Sequence, residues 1–165
     1  MLASPRNVLF LCTGNSARSI MSEAILRKTG EGRFNVFSAG SQPAGYVNRF
    51  AIEQIASHGM PTDGFRSKSW DEFAAPDAPN IDIVITVCGN AASETCPVFP
   101  GKYVRAHWGI PDPAPIEGNT ARMQLAFAQA YDMLAKRIAK LVALSDGIFE
   151  NRDALQAALD EIGEA

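Results

Sequence analysis

Residues 12 to 19 read Cys-Thr-Gly-Asn-Ser-Ala-Arg-Ser and follow the apolar run Asn7-Val8-Leu9-Phe10-Leu11. A Cys-x5-Arg spacing at a strand-to-helix junction describes a pocket for a tetrahedral oxyanion with a nucleophile at its floor. Backbone N–H groups of Thr13, Gly14, Asn15, Ser16 and Ala17 converge on an anion in such a turn, and the dipole of the following helix adds to the attraction. Arg18 supplies a planar, permanently charged fork that fits two anion oxygens at once. Cys12 shares that positive field, which favours the thiolate, the nucleophilic form of the side chain. Ser19 follows Arg18 and completes the run with a hydroxyl. The competing reading, a buried cysteine closing a strand beside an ordinary helical arginine, leaves the Gly-Asn turn and Ser19 without a purpose.

The elements that must hold this loop alternate along the chain. Arg6 to Cys12 is apolar on both faces, as a central parallel strand requires. Ser16 to Lys28 reads as a helix with Ile20, Ala24 and Leu26 on an apolar side, a Glu23–Arg27 pair four residues apart, and Gly30 at its end. Phe34 to Ala39 is a second strand, followed by a loop over Gly40 to Gly45. Val47 to His58 carries helical spacing and closes at Gly59. Asp82 to Cys88 is a third strand and Tyr103 to Trp108 a fourth. Thr120 to Leu144 is the longest helix, with Met123, Phe127, Ala130, Leu134, Ile138, Leu141 and Val142 in one stripe. Ser145-Asp146-Gly147 interrupts it, and Glu150 to Ile162 forms a tail helix. Strands alternating with helices predict βαβ units and a parallel sheet, with the site at the C-terminal strand ends. Cys12, Cys88 and Asp112 all fall on that side. One domain over 1–165 is expected, with 145–165 a C-terminal helical extension.

Composition narrows the partners. The 165 residues carry a net charge of −3, with 47% hydrophobic and 20% charged residues, which fits an ordinary globular domain. A weakly acidic chain argues against nucleic acid or an anionic membrane as partner. No apolar run approaches the ~18 residues that read as a membrane span. Three cysteines without a recognisable export signal point to the reducing cytoplasm, where thiols stay available for chemistry. His58 and His107 lack metal-ligand spacing, and no cofactor or metal is expected. Trp108 reads as packing rather than as a substrate platform.

Cys88 and Cys96 stand eight residues apart, across a segment opened by Gly89 and followed by Pro97. If the first and third strands are neighbours, their ends lie ~5 Å apart, which brings Cys12 and Cys88 toward disulfide geometry. A helical 89–96 segment would separate Cys88 and Cys96 by about 12 Å, so a bond between them requires that segment to unwind.

The run Cys12-Thr13-Gly14-Asn15-Ser16-x-Arg18-Ser19, then Val87-Cys88 and Cys96-Pro97, then His107-Trp108-Gly109-x-x-Asp112-Pro113, closely resembles the thioredoxin-coupled arsenate reductases. These share the low-molecular-weight protein tyrosine phosphatase fold. The resemblance covers roughly residues 6 to 144. It implies an α/β, three-layer, flavodoxin-like fold with a four-stranded parallel sheet flanked by helices. It also implies that Cys12 attacks arsenate, that Arg18 binds the oxyanion, and that Asp112 protonates the departing oxygen. Cys88 would then attack Cys12, releasing arsenite, and Cys96 would attack Cys88 to give a disulfide reduced by thioredoxin or another thiol. Phosphate and sulfate become competing oxyanions.

This chain departs from the pattern at three places. Ala17 stands where many relatives carry another cysteine, and the Cys88-to-Cys96 spacing is one residue longer than the family's. Asn15, Glu23 and Ser38 match three ligand positions of a potassium site found in some relatives, but Ser69 replaces the Asp of the fourth, with Lys68 beside it. Two other functions stay open: a low-molecular-weight phosphatase using Cys12, Arg18 and Asp112 alone, and a non-catalytic oxyanion or thiol-redox sensor. The phosphatase reading gives Cys88 and Cys96 no role, and Ala114 stands where phosphatases typically place a Tyr.

Overall fold

A computed structural model of the chain describes residues 5–87, 102–111, 113 and 119–164. Cys88, Cys96, Asp112 and the 89–96 segment lie outside the described residues. Four strands, β1 (Arg6–Cys12), β2 (Phe34–Gly40), β3 (Ile83–Thr86) and β4 (Val104–His107), form one sheet in the order β2-β1-β3-β4. All pairings are parallel, and β1 is flanked by β2 and β3. Val8, Leu9, Phe10 and Leu11 have no exposure, which is why this strand carries no polar alternation.

Helices cover the sheet. These are α1 (Arg18–Thr29), α2 (Arg49–Ser57), α3 (Asp71–Ala74), α4 (Thr120–Val142), α5 (Asp146–Glu150) and α6 (Arg152–Glu164). Because side chains alternate along β1, Val8, Phe10 and Cys12 join the larger core with α1, α2 and α4, while Leu9 and Leu11 pack with Trp70 and Phe73 on the opposite face. The three-layer, flavodoxin-like arrangement expected from the sequence is the observed one.

Helix boundaries follow caps more closely than periodicity. Asn48 accepts from the Phe50 amide at 2.8 Å, so α2 starts at Arg49 rather than Val47. Asn119 caps α4 through Arg122 N at 2.9 Å. The two-sided character expected of α1 is not observed: Ser19 to Leu26 are all buried, polar Ser22 and Glu23 included, because α1 is enclosed by β2, α2 and α4. No described helix is long and apolar enough to cross a membrane.

Edge strand β4 is accompanied by α6. Arg152 donates to Tyr103 O at 3.1 Å and Gln156 to Arg105 O at 2.9 Å, carbonyls on the side of β4 turned away from β3. Buried Leu155, Leu159 and Ile162 anchor this helix in the main core.

Candidate active site

Cys12 is the last residue of β1, at the strand ends where the order β2-β1-β3 makes a topological switch point. It is 3% exposed. The turn that follows aims its amides inward because its carbonyls are bound outward. Ser41 N donates to Cys12 O, Gln42 N to Thr13 O, Ala44 N to Gly14 O and Asn48 N to Ser16 O, at 2.8 to 3.2 Å. Ser67 Oγ adds a second donor to Gly14 O at 2.9 Å and accepts from Gly45 N at 3.2 Å. With its carbonyls fixed this way, the loop is a preorganised nest of N–H groups. The helix it feeds has no side-chain cap at Ala17, in contrast to the Asn-capped α2 and α4, and no acidic residue in its first turn. A positive end of that kind is suited to an anion.

Asn15 organises the floor. Its φ of 46° lies in the left-handed region, which Asn tolerates better than most residues. This conformation directs its backbone N–H onto Cys12 Sγ at 3.2 Å. Its side-chain orientation is set by Lys68 N, which donates to Oδ1 at 2.9 Å. The amide Nδ2 therefore donates to Ser19 Oγ at 2.8 Å and Ser38 Oγ at 3.0 Å. Ser38 passes its own proton to Glu23, whose second oxygen pairs with Arg27. Ser19 accepts from Asn15 and has its hydroxyl 2.9 Å from Cys12 Sγ, where it can donate to a thiolate. Two donors on one sulfur favour the thiolate over the thiol.

Arg18 opens α1 and donates through NH1 to Ile110 O at 3.1 Å. A guanidinium is a planar fork of five N–H donors, and this contact helps to orient it. It also ties the oxyanion loop to the segment leading to Asp112. On the other flank, Val87 N donates to Leu11 O at 2.9 Å, linking the residue before Cys88 to the residue before Cys12. The structure thus brings together Cys12 to Ser19 and their supports.

The four positions that correspond to a potassium site in some relatives are all hydrogen-bonded. Asn15 Oδ1 accepts from Lys68, Glu23 Oε1 from Ser38, Ser38 Oγ from Asn15 and Ser69 Oγ from Asp71 N. Lys68 is partly buried, which pushes its pKa down, while the Glu23 carboxylate opposes the shift. Among the described residues, no cluster of three or more His, Cys, Asp or Glu side chains fits a metal. His107 Nδ1 lies 2.6 Å from Thr86 Oγ1, and His58 stacks on Tyr131 at 3.9 Å. Trp108 is wholly buried, as expected of a packing residue.

Sequence reasoning missed the contributions of Gly40, the 41–48 amides and Ser67. A Cβ on Gly40 would sit 2.4 Å from Thr13 O and 3.0 Å from Asn15 N, both backbone atoms that cannot rotate aside. Gly40→Ala is expected to displace the loop and weaken phosphate or arsenate binding about tenfold or more, some 1.4 kcal/mol, in titration calorimetry. Unchanged affinity would show that the close approach is immaterial.

A model of the low molecular weight phosphotyrosine protein phosphatase family matches residues 7–154. An arsenate reductase of Bacillus licheniformis is 37% identical over 136 residues, covering 82% of this chain and 94% of that protein. The crystal structure of an arsenate reductase from Archaeoglobus fulgidus superposes with a TM-score of 0.64 at 27% identity, over 83% of this chain and 99% of the other. The tyrosine phosphatase Wzb from Escherichia coli K30, in complex with sulphate, shares the fold with a TM-score of 0.64 at 23% identity, over 82% of this chain and 95% of the other. The chain belongs to the low molecular weight phosphotyrosine protein phosphatase family, and its arsenate reductase relatives match it over most of its length.

Proposed function

We propose that the chain reduces arsenate to arsenite, with Cys12 as nucleophile and electrons supplied by thiols. The observation that carries this reading is the sulfur of Cys12, which accepts from Asn15 N and lies 2.9 Å from Ser19 Oγ, inside a loop whose carbonyls are bound outward. A thiolate there is aimed at the centre of an oxyanion held by Arg18 and the loop amides. Attack forms a Cys12–arsenate adduct, and Asp112 protonates the oxygen that departs. Cys88 then attacks the Cys12 sulfur. The S–S bond forms, the S–As bond breaks, and its electron pair leaves with arsenic as arsenite. Two thiols are thereby oxidised and As(V) becomes As(III). Cys96 displaces Cys12 from Cys88, and the Cys88–Cys96 disulfide is reduced by thioredoxin or another cytoplasmic thiol.

The Bacillus licheniformis relative, matched over 94% of its length, supports the substrate. A second reading, hydrolysis of phosphate monoesters, draws support from the family match and uses the same loop with water in place of Cys88. We expect arsenate-dependent NADPH consumption with thioredoxin and thioredoxin reductase, with glutathione and glutaredoxin run in parallel. No arsenate-dependent oxidation with either system would refute reduction as the function.

A further inference from the structure

We infer that α6 is a positioning element for residues 108–110, the segment that leads into Asp112, acting through Trp108. The inference rests on reading Asp112 as the general acid. Residues Arg152, Gln156, Leu159 and Gly163 recur at intervals of four, three and four and so share one helical face. Their contacts advance along β4 toward the site. Arg152 holds Tyr103 O, Gln156 holds Arg105 O, and Leu159 O accepts from Trp108 Nε1 at 2.9 Å. Gly163 comes last, and a Cβ there would lie 2.7 Å from His107 O and 2.8 Å from Trp108 Cδ1. Gly163 lies in the last turn of α6, where the absence of a Cβ permits this close approach.

The same short segment is held from two other directions. Arg137 in α4 donates to Trp108 O at 2.8 Å and Gly109 O at 3.3 Å, and Arg18 donates to Ile110 O at 3.1 Å. Trp108 N and Ile110 N complete the clamp by donating to Thr86 O and Val87 O. Residues 108–110 are therefore fixed in backbone and ring, and Asp112 is the second residue after them. A catalytic carboxyl works only when aimed, and a displacement of about 1 Å reduces rates by up to about 10²-fold. The family match ends at residue 154, so Gln156, Leu159 and Gly163 lie past it.

The test uses aryl phosphates whose phenol leaving groups span a range of acidity, assayed with the full chain. Protonation by an acid matters for phenyl phosphate and hardly at all for 2,4-dinitrophenyl phosphate. Trp108→Phe removes the Nε1 donor but keeps an aromatic ring, and Gly163→Ala adds the excluded Cβ. Both are expected to lower kcat/KM for phenyl phosphate about tenfold while leaving the dinitrophenyl ester and inhibition by phosphate unchanged. Asp112→Asn should show the same selectivity more strongly, and thermal midpoints report folding separately. If Asp112→Asn acts equally on both esters, the acid assignment fails and this inference with it. If Asp112→Asn discriminates but neither Trp108→Phe nor Gly163→Ala does, α6 has no positioning role.

Discussion

Cys12→Ser is expected to reduce both arsenate turnover and aryl phosphate hydrolysis by about 10⁵-fold or more, the scale seen when a covalent nucleophile is removed. The serine hydroxyl has a far higher pKa than a thiol, and the donors on residue 12, Ser19 Oγ and Asn15 N, cannot lower it into a useful range. Oxyanion binding should persist, because the amides of the loop and Arg18 remain. Initial rates with arsenate, together with phosphate affinity from calorimetry, separate the two effects. Substantial arsenate turnover by this variant would sink the assignment of the nucleophile.

The second large effect divides the two chemistries that this loop supports. Cys88→Ala and Cys96→Ala should each stop multiple-turnover arsenate reduction while hydrolysis of an aryl phosphate continues at the wild-type rate. Hydrolysis ends with water attacking the Cys12 adduct, whereas reduction requires a thiol to attack sulfur and leave a disulfide. The Val87–Leu11 hydrogen bond of 2.9 Å joins the strands that lead directly into Cys88 and Cys12. Neighbouring strands at about 4.8 Å place the ends of such strands within reach of a bond. A quenched single-turnover assay adds detail: Cys96→Ala should still release one arsenite per chain, and Cys88→Ala none. Equal loss of both activities in either variant would mean that these cysteines support the fold instead.

What the sequence revealed about fold and site follows from where each signal resides. The Cys12–Ser19 run and β1 were legible because nucleophile, glycine, arginine and apolar strand sit together in fourteen residues. The α4 stripe was legible because periodicity records a helix's own buried face, and Phe127, Ala130, Leu134, Ile138 and Leu141 are buried as expected. Burial of Ser22 and Glu23 was not legible, since periodicity does not say that neighbours enclose a helix on several sides. The ladder from 41–48 to the oxyanion loop escaped notice for a different reason. It consists of backbone donors and acceptors, which every sequence possesses, so no residue type marks it. Gly40 left only a glycine among many, and the 2.4 Å approach that explains it exists only once β1 and β2 are paired. Ser38, which matches an ion-ligand position of some relatives, and Lys68, next to Ser69, both belong to the hydrogen-bonded floor under Cys12.

The path of α6 along β4 has a consequence for colloidal behaviour. A parallel edge strand with outward carbonyls is a template on which another chain can add, the first step of strand-by-strand association between molecules. Here Arg152 and Gln156 fill the acceptors of Tyr103 and Arg105 with side-chain donors, and Gly163 seats the helix against His107. A side-chain donor satisfies a carbonyl without offering a new backbone edge, so the ladder ends there instead of being passed to a neighbour. The tail thus covers this flank of the sheet, and a shortened chain is expected to self-associate through β4.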